Sequence, residues 1–162
     1  MLALRFAALL SIVVWVGGLI ALAAVAAPAV FDVVAARQIS EGRLLAGAIF
    51  GEILNRFTRV GYVCGLLLPI SLITRAVLGP RPRRFALRLS LALLMLAAVA
   101  YSGFILTPRI EGLQRSVGVA PSSLPEGDPR RVEFGRLHGR SSGVLLIPVI
   151  GGLLLLVFEM RD

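Results

Sequence analysis

The sequence predicts an all-α integral membrane protein: a four-helix bundle with an additional amphipathic helical segment between spans one and two. Three observations carry this reading. Of the 162 residues, 57% are hydrophobic and only 16% charged, and the mean hydropathy of +0.90 lies far above that of roughly half-apolar soluble domains. Four stretches approach or reach the roughly 20 apolar residues that cross a hydrocarbon core. No strand alternation, coiled-coil heptad run or internal repeat competes with them. Lipid offers no partner to unpaired backbone groups, so each crossing has to be helical.

The chain reads as one transmembrane domain over 1–162, with spans at about 6–31, 60–78, 87–107 and 139–158 and an amphipathic segment at about 40–59. The first span is uncharged throughout. Its apolar run exceeds a signal-peptide core, and Pro28 sits where cleavage would fall, so it reads as a retained span. In the amphipathic segment Ala46, Phe50, Ile53, Leu54 and Phe57 share one side of the wheel and Glu52, Arg56 and Arg59 the other. This helix is expected near the membrane interface, continuing into span two, with Ser40 as its N-cap. The second span extends to Leu78 if Arg75 snorkels towards headgroups. The third connection holds Pro121, Pro125, Gly127 and Pro129 and should be irregular until Asp128 and Pro129 start the last helix.

The net charge of +8 comes from 17 basic residues, all arginine. They flank apolar segments instead of forming a stripe between aromatics, which points to the lipid bilayer and its anionic headgroups as partner and away from nucleic acid. Arg5 and the compact basic loop GPRPRR at 79–84 place both termini on the cytoplasmic side. A single cysteine, Cys64, excludes an intrachain disulfide and a multi-cysteine metal site.

The sharpest candidate is His138, the only histidine, because imidazole titrates near neutrality. On the wheel Gly135, Gly139 and Gly143 form a strip at four-residue steps, with Ser142 beside it and His138 just past it, so the histidine is expected to lean towards the packed side. Ser141, Ser142, Trp15 and Tyr101 complete a candidate ligand- or proton-handling set. Glu52, Arg109, Glu111 and Arg136 read as interfacial charges, solvated or paired. Water near a membrane boundary satisfies a histidine without any function, and that use is favoured for His138. The glycine pairs at 47 and 51, 61 and 65, and on the last helix are expected to pack within the bundle, with a homo-oligomer or membrane-protein partner through these faces as the alternative.

WVGG at 15–18, LTPRIEGL at 106–113 and above all EFGRLHGRSS at 133–142 give the chain a further feature. It resembles the domain-of-unknown-function 4149 family, the bacterial relatives of transmembrane protein 205, and more distantly the four-helix module of copper-resistance D proteins. The resemblance implies a multi-pass protein of the bacterial inner membrane without an established activity.

No nucleophile–base set, phosphate loop or intramembrane carboxylate pair is present, so ordinary hydrolase, kinase and glycosidase chemistry lacks its parts. The expectation is a non-catalytic protein, with no cofactor and no metal, that binds or passes a small polar solute or ion near the outer end of the bundle. A haem- or copper-linked redox protein is the first alternative, but one histidine and one cysteine cannot furnish a two-histidine haem. A scaffold subunit of a membrane assembly is the second.

Overall fold

A computed structural model describes residues 2–39 and 41–161. It holds four long helices, α1 (Leu2–Ala36), α2 (Gly42–Leu78), α3 (Phe85–Val117) and α4 (Pro129–Met160), each apolar enough to cross a membrane. There is no strand among the described residues. The protein is thus an all-α membrane helical bundle. At about 1.5 Å per residue these helices are roughly 50 Å long, against a hydrocarbon core of roughly 30 Å. The predicted spans are therefore the apolar portions of longer rods.

The amphipathic segment illustrates this. It is the first half of α2, one helix with the span into which it was expected to continue. Its apolar side found protein: the last turns of α1 pack on α2. Ser40, the expected cap, lies outside the described residues; Glu41, in a left-handed conformation at φ 63°, precedes the helix. Asp128 does cap α4, accepting from the Arg130 backbone N–H. Gly118 closes α3 at φ 72°, a left-handed position that suits glycine at a helix end.

Neighbours in the chain are neighbours in space. α1 packs on α2, α2 on α3, α3 on α4 and α4 back on α1, an up-down-up-down ring. Lipid-facing and core-facing residues are both apolar here, so packing is decided by shape. Trp15, completely buried, fills the centre with Ile12, Leu68, Leu72, Met95 and Leu155. Small residues make room for it: a Cβ at Gly61 would lie 3.1 Å from its indole nitrogen, and one at Gly65 3.1 Å from its ring. Gly152 admits Val16, whose methyl would lie 2.2 Å from an added Cβ.

A repeat that residue identities hide appears in the fold. Five-residue π-helical segments interrupt α1 at Leu22–Ala26 and α3 at Ser102–Leu106, 80 positions apart. Each precedes a proline, Pro28 or Pro108, again 80 apart. Proline lacks an N–H and crowds the preceding turn, and the wide turn before it absorbs that, with Ala27 donating to Leu22 O and Thr107 to Ser102 O. Part of the buried set keeps the same interval: 8, 12, 15 and 19 recur at 88, 92, 95 and 99, and 61, 68, 71 and 72 at 141, 148, 151 and 152. In these features the two helical hairpins correspond. No repeat was expected from the sequence, because apolar side chains exchange freely at such positions while their burial does not.

The expected role of glycine holds for only part of the set. Gly61 and Gly65 pack inside the bundle, whereas Gly47, Gly51, Gly135, Gly139 and Gly143 have nothing within 4 Å of where a Cβ would stand. Gly152→Ala should therefore destabilise the bundle by about 1–3 kcal/mol, while Gly143→Ala should leave it unchanged or slightly more stable. Unfolding in mixed detergent micelles would read both; equal effects would refute the packing assignment.

Candidate functional site

Most of the buried charge sits where α1 starts and α4 ends, here called the terminal end. Glu159, in the last turn of α4, is 3% exposed. Its carboxylate accepts from Arg88 Nη1 of α3 at 2.9 Å and from Arg75 Nη1 of α2 at 2.9 and 3.1 Å. Arg5 of α1 approaches the same carboxylate, Nε to Oε2 at 3.4 Å, and donates to the Glu159 backbone carbonyl. Arg88, itself 2% exposed, also donates to the Phe158 carbonyl at 2.7 Å. Arginines at this point satisfy α4's last carbonyls and suit the negative end of its dipole. One carboxylate thus binds a guanidinium from each of the other three helices.

The expected set around His138 is arranged differently. Leu137 and Ser141 turn inward and are buried, but His138 is exposed and stacks on Phe134 of its own helix, centroids 5.9 Å apart. The expected inward lean is corrected. It took the glycine strip as the packed face of α4, and that strip faces out, so the reference direction was reversed. Ser142 is exposed, and Tyr101 is 41% exposed just before the α3 π segment. Trp15 is buried, and its indole N–H has no hydrogen-bond acceptor among the described residues. His138 lies 21 residues from Glu159 along α4, about 30 Å at helical rise, so the two polar regions occupy opposite ends. Among the described residues no group of three or more His, Cys, Asp or Glu is placed to hold a metal.

The interfacial charges sit on the far end. Glu52 accepts from Arg56 at 2.7 Å and Glu133 from Arg136 at 2.6 Å, both exposed i,i+4 or i,i+3 pairs. Arg109 and Glu111 are exposed on α3. Asp128 accepts from the Arg130 side chain as well as its backbone, and these bonds hold its carboxyl down to about 2. The α4 cap therefore stays ionised across the physiological range.

Two cavities open at the bundle's ends. One, about 220 Å³, lies between α1 and α2 against Phe31, Val34 and Ala46. The other, about 170 Å³, is lined by Arg83, Arg84, Arg88, Phe158 and Arg161. Neither is lined by His138, Ser141, Ser142, Trp15 or Tyr101.

The family model described as a domain of unknown function, DUF4149, matches residues 10–117. The chain belongs to this family. No curated protein and no solved structure matches it. The DUF4149 match takes in WVGG and LTPRIEGL and ends before EFGRLHGRSS. Of the terminal cluster it includes Arg75 and Arg88 but not Arg5 or Glu159.

The Glu159 cluster is what sequence reasoning missed. Its signal was present: an acid directly after the last apolar run, with arginines at the matching ends of the other spans. Arg5 and Arg75 were each read singly, as an orientation signal and a snorkelling end, and Arg88 and Glu159 were given no role. Glu159→Gln leaves three arginines around an uncharged amide, and breaking a buried ion pair by removing one partner costs about 3–5 kcal/mol. That loss should appear in detergent unfolding, while Glu52→Gln at the exposed pair should change little. Equal, small effects would sink the buried-clamp assignment.

Proposed function

We propose that this DUF4149 member is a non-catalytic membrane protein that works by association, a scaffold whose open glycine face on α4 receives another membrane helix. The observation that carries this is the split among the glycines. Those at 61, 65, 151 and 152 are filled by neighbours within the bundle, while Gly135, Gly139 and Gly143 stand open along one face of α4. Small residues at four-residue steps let a second backbone approach closely, which is how helices associate where lipid removes the hydrophobic driving force. His138, Ser142 and Phe134 flank that face in sequence and supply polar and aromatic contacts for an incoming helix. A solute site at His138 has less support, since the imidazole is exposed and no cavity described above includes it.

A second reading has one observation of its own: the buried indole N–H of Trp15 without an acceptor. Buried donors are normally paired, with protein, water or ligand, and Gly61 packs directly against this nitrogen, so an acceptor reaching it has to displace a neighbour. A small solute carrying a carbonyl or carboxylate oxygen would satisfy it.

Native mass spectrometry from nanodiscs tests the first reading. The wild type should carry a second copy or another membrane protein, and Gly139→Leu should release it as a monomer. A wild type that is monomeric and partner-free under all mild extraction conditions overturns the scaffold. For the second reading, Trp15→Phe keeps the ring and removes the donor. Thermal shifts given by small oxo-compounds in the wild type should vanish in the variant; identical shifts in both proteins would refute a Trp15 site.

A further inference from the structure

We propose that the terminal end carries a site for the phosphate of an anionic lipid headgroup, formed by Arg83, Arg84 and Arg161 over a floor of Arg88 and Phe158. These five residues line the cavity of about 170 Å³, a volume suited to a headgroup and below that of common small-molecule pockets. The floor is built and fixed. Arg88 is held by Glu159 and the Phe158 carbonyl, and the guanidinium carbons of Arg84 and Arg88 each lie 5.8 Å from the Phe158 ring centroid. Among the described residues no carboxylate pairs with Arg83, Arg84 or Arg161. Guanidiniums gathered round one opening repel each other unless an anion joins them.

The backbone points the same way. Arg84 is the N-cap of α3 and adopts φ 54°, ψ 35°, a left-handed conformation unusual for a residue with a side chain. Strained positions of this kind gather at ligand clamps. The cap has no side-chain hydrogen bond, and the first turn of α3 contains no acid. α4 shows the ordinary solution, with Asp128 at its cap. At α3 the positive end of a long helix meets arginines instead, an arrangement that favours a bound anion. Phosphate suits it better than carboxylate, because several guanidinium forks from different directions need more than two acceptor oxygens. A lipid is the source the surroundings fit: Leu87, Val157 and Met160 are exposed within a turn of the lining arginines and offer apolar surface to acyl chains.

The test is lipid retention by the full-length protein in native mass spectrometry, with phosphatidylglycerol competing against phosphatidylcholine. The wild type should retain phosphatidylglycerol selectively, and Arg84→Gln with Arg161→Gln should weaken that retention about tenfold or more, the loss expected from charge-assisted hydrogen bonds. Arg37→Gln with Arg43→Gln removes the same charge at the far end and should leave retention unchanged. Arg83→Gln with Arg161→Gln repeats the test if replacing Arg84 disturbs the start of α3. Equal weakening by the far-end pair, no preference for phosphatidylglycerol, or stabilisation by inorganic phosphate matching that by the lipid would each overturn the proposal.

Discussion

One carboxylate constrains the whole arrangement. Glu159 is the acid at which all four helices meet, since Arg5, Arg75 and Arg88 reach it from α1, α2 and α3. In a bundle whose inner and outer faces are equally apolar, hydrophobicity cannot tell a helix which side to turn inward. A buried charge can. Rotating any one helix would strand a guanidinium or leave the carboxylate short of a partner in a low-dielectric setting, where uncompensated charge costs several kcal/mol. The ion cluster is better understood as fixing rotation and register than as adding net stability.

The cluster also marks where the two hairpins stop being equivalent. At the 80-residue interval Arg88 corresponds to Ala8, which is completely buried, and Glu159 to Gly79 at the end of α2. The first hairpin keeps both positions small and neutral. The second places an arginine and a glutamate there, and the first answers with Arg5 and Arg75 from elsewhere on its helices. A symmetric bundle of two like hairpins has more than one way to dock, and an off-axis charge cluster leaves one docking satisfied. The asymmetry also gathers surplus arginine at one end, which sets up the cavity beside Phe158.

The elements with local causes were legible in the sequence. Apolar runs gave the four crossings, Asp128–Pro129 the start of α4, and the proline-rich stretch after Gly118 its irregular path. Orientation about each helix axis was much less legible. His138 was expected inward and is exposed, and the glycines at 135, 139 and 143 were expected to pack and are open. Wheel analysis fixes residues relative to one another, but in a membrane bundle it needs an outside reference for the inward direction, and a small-residue strip serves inner and outer contacts equally. That reference lay in Arg88, in the first turn of the third predicted span, and Glu159, one residue beyond the fourth. Charges at the ends of a span, weighed together across the four helices, are the residues that orient it.

The two ends differ in how firmly they are held, and this bears on where function resides. Past the π segments α1 buries only Val34, and the final stretch of α3 buries no residue. There α1 pairs with α2 and α3 with α4, so each hairpin stands largely on its own contacts. Segments with few buried contacts open at lower free energy than a packed core. The far end therefore has freedom to adjust, and its charges, Glu52, Arg109, Glu111 and Arg136, keep access to water and cost little to retain. The terminal end has no such freedom, because its charges are bound to each other and to α4's last carbonyls. A bundle fixed at one end and accommodating at the other suits association through α4's open face better than transport, which would require the clamped helices to move against one another.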